Sequence, residues 1–269
     1  MKRFHEAPKS IFNMVQKCTD GDYALVHLFE EDPEYFNLFK EAIANGREVI
    51  LDSSIFELGK AFESERYAYW INELKPTYYI IPDSLENFEE TRNNAIHWNK
   101  EYRDKLSSKC IGVLQGKTYE ELVMCYKFLH DVIKVDKIAI PFDLSYYEKS
   151  YPHTSTLVSW CFGRIKLLGD LMKDRVIDSD MPIHLLGCSL PMEFMYYDEV
   201  YKFIDSVDTS NPVVAGINYT CYDRAIGLYC KNKTKLYTLM NMELTDDQID
   251  IVHQNIMTFK QFCDRKYFI

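Results

Sequence analysis

Apolar residues fall into short runs separated by longer amphipathic stretches. Lys2 to Ala7 predicts a short first strand, and Pro8 opens a helix to about Lys17. The run Tyr23 to Phe29 is apolar but for His27 and predicts a strand. Pro33 stands in the first turn of a helix that ends before Asn45 and Gly46, a good stop signal. Further strands are predicted at 48–52, 77–83, 110–116, 137–142, 183–188 and 203–208. Helices are predicted between them, near 63–74, 85–106, from Thr118 onward, 155–172 and 191–202. Thr118 with Glu121 three residues on has the form of a capping box. Residues 143–154 read as loop and 212–229 as irregular. A last amphipathic helix covers about 244–262, with Ile249, Val252, Ile256 and Phe259 on one face.

Short apolar strands alternating with helices imply a parallel sheet covered by helices. Eight strands within roughly 210 residues suit a (β/α)8 barrel forming a single domain over residues 1–269. A doubly wound open sheet is the alternative, and the missing glycine-rich dinucleotide fingerprint weighs against it.

Composition narrows the class. The chain has 269 residues, 47% hydrophobic and 27% charged, the balance of an ordinary globular protein. No apolar run is long enough to span a bilayer, and no apolar signal region follows Lys2 and Arg3, so a cytoplasmic protein without membrane contact is expected. The eight cysteines contain no CxxC pair and read as reduced thiols. Cys221, Cys230 and His253 are the one weak candidate for a metal site, and neither metal nor cofactor is expected. A net charge of −10 argues against broad nonspecific nucleic-acid binding. It leaves room for a local basic face, for which Arg224, Lys231, Lys233 and Lys235 are the candidates; a solvated loop is the plainer reading.

Candidate chemistry lies at the ends of the strands, where barrels place it. These ends read Asp52-Ser53-Ser54, Asp83-Ser84, Gln115-Gly116, Pro141-Phe142-Asp143, Gly187-Cys188-Ser189 and Asp208-Thr209. Each alone is ordinary turn material. Together they suit a polar pocket. One carboxylate can act as nucleophile, and others can accept hydrogen bonds from a heterocycle. Gln115 can donate and accept, and glycine lets a flat ring approach the backbone.

The ordered set of motifs resembles the tRNA-guanine transglycosylase superfamily. Leu51-Asp52-Ser53-Ser54-Ile55-Phe56-Glu57 is similar to its L/T-D-S-G-G-F-Q, and Ile81-Pro82-Asp83 stands at its second base-binding aspartate. Gly112-Val113-Leu114-Gln115-Gly116 resembles G-I-V-Q-G, and Ile138-Ala139-Ile140 resembles part of G-L-A-V-G. His184 to Pro191 is similar to H-L-x-G-x-G-x-P, and Ile204 to Ser210 to the nucleophile strand V-D-x-F-D-S-x-S. The resemblance covers residues 45–212. It implies a (β/α)8 barrel that exchanges guanine for a 7-deazaguanine, with Asp208 as nucleophile and Asp205 as the competing candidate. Asp52 would join Asp208 as a catalytic residue while also holding the base, and Asp83, with Ser53, Gln115, Gly116, Ile138, Ala139 and Gly187, would hold or line the base site. Ser54-Ile55 and Glu57 depart from the family's pattern, as do Ile140-Pro141-Phe142. The CxCxxC zinc segment is missing. The shortened form looks more like the phage and bacterial branch that modifies DNA, which would place the protein in bacterial or infected-host cytoplasm. A homodimer or a partner protein is compatible with this reading. The alternatives are a tRNA transglycosylase, a noncatalytic partner subunit, and an unrelated barrel glycosidase using Trp70, Trp98 and Trp160.

Overall fold

The computed structural model describes residues 1–177, 180–188, 190–197, 202–228 and 230–265. Its centre is a closed barrel of eight parallel strands in sequential order, β1 (Lys2–His5), β2 (Gly21–Leu25), β3 (Glu48–Asp52), β4 (Tyr78–Ile80), β5 (Lys109–Val113), β6 (Lys137–Pro141), β7 (Ile183–Leu186) and β8 (Ile204–Asp208). β8 closes the ring on β1, with Phe4 in register with Asp208. The chain is therefore a (β/α)8 barrel surrounded by helices.

The helices are α1 (Phe12–Gln16), α2 (Val26–Glu31), α3 (Pro33–Ala44), α4 (Ile55–Leu58), α5 (Ser64–Leu74), α6 (Phe88–Glu101), α7 (Tyr119–Lys127), α8 (Ser145–Ser150), α9 (Thr156–Lys173), α10 (Asn211–Ile217) and α11 (Asp246–Cys263). Local chemistry sets their starts. Asp32 accepts from the backbone of Glu34 and Tyr35 ahead of Pro33. Thr118 and Glu121 close a capping box on α7, and Thr245 and Gln248 do so on α11.

Several segments differ from the sequence expectation. The strand expected over 23–29 begins at Gly21, stops at Leu25, and turns into α2. All of Val26 to Phe29 is buried, His27 included, so the run has no exposed polar face to distinguish a helical turn from a strand. A side chain at Gly21 would stand 2.2 Å from the Phe4 ring, which ties the start of β2 to that residue. The expected loop at 143–154 contains α8, whose Tyr147 is buried and donates its hydroxyl to the Pro141 carbonyl at 2.8 Å. The expected irregular stretch at 212–229 contains α10, buried on every residue. A Cβ at Gly216 would lie 2.6 Å from the Val252 backbone nitrogen, so α10 and α11 meet almost backbone to backbone. Pro191 opens a 3-10 turn to Met195. Residues 198–201 of the helix expected there, Ser189 and Tyr229 lie outside the described residues. No helix among the described residues is long and apolar enough to cross a membrane.

Candidate active site

A cavity of about 530 Å³ opens at the carboxyl-terminal mouth of the barrel. Its lining includes Asp52 from the end of β3, Asp83 beyond β4, Gln115 beyond β5, Gly187 beyond β7 and Asp208 at the end of β8. Side chains alternate along a strand, so the apolar residue before each acid packs into the wall while the acid faces inward. Leu51 and Val207, both fully buried, are two such neighbours.

Asp208 is held from one side. Its Oδ1 accepts from the Gly187 backbone N–H at 3.0 Å and lies 3.0 Å from His184 Nε2. Among the described residues no hydrogen bond reaches Oδ2. Gly187 has a φ of +71°, and a side chain there would meet the Phe142 ring at 2.4 Å. The Gly187 carbonyl accepts from Arg164 at 2.8 Å. Arg164 is fully buried and ion-paired with buried Glu193.

Asp83 offers a different surface. Its Oδ2 accepts from Gln115 Nε2 at 2.7 Å, while Oδ1 is buried without a partner. Gln115 in turn accepts from the Glu86 backbone at 2.7 Å, so its amide is oriented. Asp52 takes the Tyr23 hydroxyl on Oδ2 at 2.6 Å and the Ser54 backbone N–H on Oδ1. Ser54 has a φ of 61°, where the resembled motif carries glycine, so this turn stores backbone strain of about 1 kcal/mol.

Burial pushes Asp83 up from 3.8 to about 7 and Asp52 up to about 6. Burial, with Asp52 nearby, also raises Glu57 to about 7. Glu6, following β1, is raised well above the usual range by desolvation and by Glu57. Lys231 reaches into the same cavity and is lowered by burial. A cavity of this kind holds carboxyl groups that can donate or accept near neutral pH.

The rim is aromatic and basic. Phe56, Phe142 and Trp160 form a row with centroid spacings of 6.2 and 5.7 Å. Lys231 Nζ stands 4.0 Å from the Phe142 centroid and Lys235 Nζ 6.0 Å from that of Phe56. Lys231, Lys233 and Lys235 all line the cavity.

Several expected residues stand elsewhere. Asp205 is not at the cavity; it pairs with Lys137 at the opposite end of the barrel. Ser53, Ile138 and Ala139 are fully buried, and neither they nor Gly116 lines the cavity. Gly116 instead leaves room for α7, since a Cβ there would lie 2.8 Å from that of Glu121. Arg224 is exposed on a turn away from the cavity. Of the three tryptophans, Trp160 lines the cavity, Trp98 is core, and Trp70 packs on Phe29 and Phe36. Among the described residues no three His, Cys, Asp or Glu groups converge as metal ligands, Cys221, Cys230 and His253 included.

Glu6, Tyr23 and His184 gained no role from sequence. Glu6 follows a strand too short to mark its end clearly. His184 did carry a signal, as a polar residue inside an apolar strand.

No protein-family model matches the chain, and none of the curated proteins compared with it matches either. The (β/α)8 barrel hosts many chemistries, so function is argued from the cavity.

Proposed function

We propose that this protein is a base-exchange transglycosylase that replaces guanine in DNA by a 7-deazaguanine through a covalent intermediate on Asp208. The observation that carries the reading is the pairing of two half-satisfied carboxylates in one cavity. Asp208 presents an unencumbered oxygen, and Asp83 presents a buried oxygen without a partner. A buried acceptor of this kind is costly unless a ligand donates to it. The N1–H and exocyclic amine of a guanine-like ring are such donors. Gln115, already fixed by Asp83 and Glu86, adds a second directed contact.

In the first step Asp208 Oδ2 bonds to the sugar C1′ as the C1′–N9 bond breaks. The electron pair leaves on N9 of guanine, and a protonated carboxyl of the cavity supplies the proton. In the second step a 7-deazaguanine attacks C1′ through N9, its proton passes to a cavity carboxylate, and Asp208 is released. Two inversions give net retention, as in a retaining glycosidase. The cavity lies inside the barrel mouth, so a target base must leave its stack to enter. The aromatic rim and Lys231, Lys233 and Lys235 suit a displaced nucleic-acid strand. The shortened form without a CxCxxC segment, with Ile81-Pro82-Asp83 and Ser206-Val207-Asp208-Thr209 in place of the family's usual strings, favours DNA over tRNA.

The test is exchange of radiolabelled guanine into duplex DNA and into tRNA by the purified chain, with Asp208→Asn alongside. The expected result is exchange into DNA that Asp208→Asn abolishes together with the covalent complex. Exchange into tRNA alone would reassign the substrate. Full activity in Asp208→Asn would overturn the mechanism.

A further inference from the structure

A line of buried polar groups runs through the barrel from its amino-terminal end to Asp208. Lys137 Nζ donates to Ser206 Oγ at 3.1 Å and pairs with Asp205. Ser206 Oγ lies 2.9 Å from His184 Nδ1, and His184 Nε2 lies 3.0 Å from Asp208 Oδ1. Lys137 also sits 4.4 Å from the Tyr78 ring centroid, so its ammonium is enclosed on several sides. Lys137, His184 and Ser206 are each 1% exposed or less.

The charged groups at the two ends set the directions of the bonds between them. An ammonium only donates, so Ser206 Oγ accepts from Lys137. Its single proton can reach His184 Nδ1 or the Asp205 carboxylate; the Asp208 carboxylate only accepts, so a neutral His184 donates from Nε2, and Nδ1 is left to accept from Ser206. A neutral imidazole accepting on Nδ1 carries its proton on Nε2, and that proton points at Asp208 Oδ1. The fixed N–H of Gly187 reaches the same oxygen, which leaves Oδ2 for the cavity.

A strand irregularity makes the line possible. Ile183 pairs with Ile204, but His184 pairs with Ser206, so Asp205 is an extra residue in β8. In an unbroken register His184 would face Asp205. The bulge sets Ser206 beside the imidazole and turns Asp205 toward Lys137. Burying an ammonium in a barrel core is unfavourable before pairing, and an apolar layer would fill the space at lower cost. Packing alone does not call for this column.

We infer that Lys137 and Ser206 are positioning residues that set the tautomer of His184 and thereby aim Oδ2 of Asp208 at the substrate sugar. The link to the sugar rests on the proposed base exchange; the tautomer assignment does not. Asp205, offered by sequence as a rival nucleophile, serves here as the anchor of Lys137.

The experiment is nitrogen-15 NMR of histidine-labelled full-length protein, with the His184 signals assigned by their loss in His184→Gln. The unaltered protein should show Nδ1 unprotonated and Nε2 protonated at His184. Ser206→Ala should give a mixed or reversed tautomer and lower kcat for exchange by at least about tenfold, with KM within about twofold. Ser206→Thr keeps the hydroxyl and should restore both. A proton on Nδ1 in the unaltered protein, or an unchanged tautomer in Ser206→Ala, would overturn the inference. The spectrum of the unaltered protein decides the matter even if Ser206→Ala does not fold. It also reads the same whether or not base exchange is found, so failure of the functional reading is seen separately.

Discussion

Replacing Asp83 by asparagine should make the protein more stable at pH 8 and leave it nearly unchanged at pH 4. The side chain is buried, with one oxygen on Gln115 and the other without a partner. Burial raises it from 3.8 to about 7. A carboxyl raised in this way binds its proton more tightly in the folded state than in the unfolded chain. Between pH 3.8 and about 7 the folded state therefore holds more protons, and stability falls as pH rises through that window. Integrated over the window the loss is at most roughly 4 kcal/mol, and relaxation around the site will reduce it to about 1–3 kcal/mol. Asparagine has the same shape, can keep the Gln115 contact and does not titrate. Asp52 and Glu57, also raised, contribute a falling slope to both proteins, so the quantity of interest is the difference between them. Urea unfolding of both proteins at pH 4, 5, 6, 7 and 8 measures it. The same loss of stability between pH 4 and pH 8 in Asp83→Asn and in the unaltered chain would refute the argument. Under the proposed function the stabilised variant should also lose base exchange, since a carboxylate that accepts from the ring is gone.

Arg164→Met should destabilise by about 3–5 kcal/mol, because it strands buried Glu193 and frees the Gly187 carbonyl. Chemical denaturation checks it, and Arg164→Met with Glu193→Leu should lose less than the two single changes summed. Lys233→Gln with Lys235→Gln should weaken DNA binding and flatten the slope of log affinity against log salt by about 1–2, measured by fluorescence anisotropy. An unchanged slope would remove these two lysines from the nucleic-acid surface.

Alternation of short apolar strands with helices was enough to predict a helix-covered parallel sheet, because a sheet buried on both faces requires that pattern, and the count of eight strands pointed to a barrel rather than a doubly wound sheet. The strand ends were legible too. Asp52, Asp83, Gln115, Gly187 and Asp208 stand at equivalent positions in the strand order, and closure of the barrel brings equivalent positions to one mouth. Helix starts at Thr118 and Thr245 are local hydrogen-bond chemistry, which neighbouring residues settle among themselves.

What lay beyond the sequence depends on contacts between distant segments. The short helix α10, buried on every residue, lacks the polar face that gives a helix its period, and in α2 the first four residues are all buried. Strand ends also could not separate lining from wall: Ser53, Ile138 and Ala139 sit in the right motifs but are packed away from the cavity. The division between Asp205 and Asp208 turned on one extra residue in β8. Strand period is two, so a single bulge changes which side chains share a face, and pairing with β7 decides where that bulge falls. The amino-acid order supplied the acids; the register of neighbouring strands decided which of them looks into the cavity and which one braces a lysine beneath it.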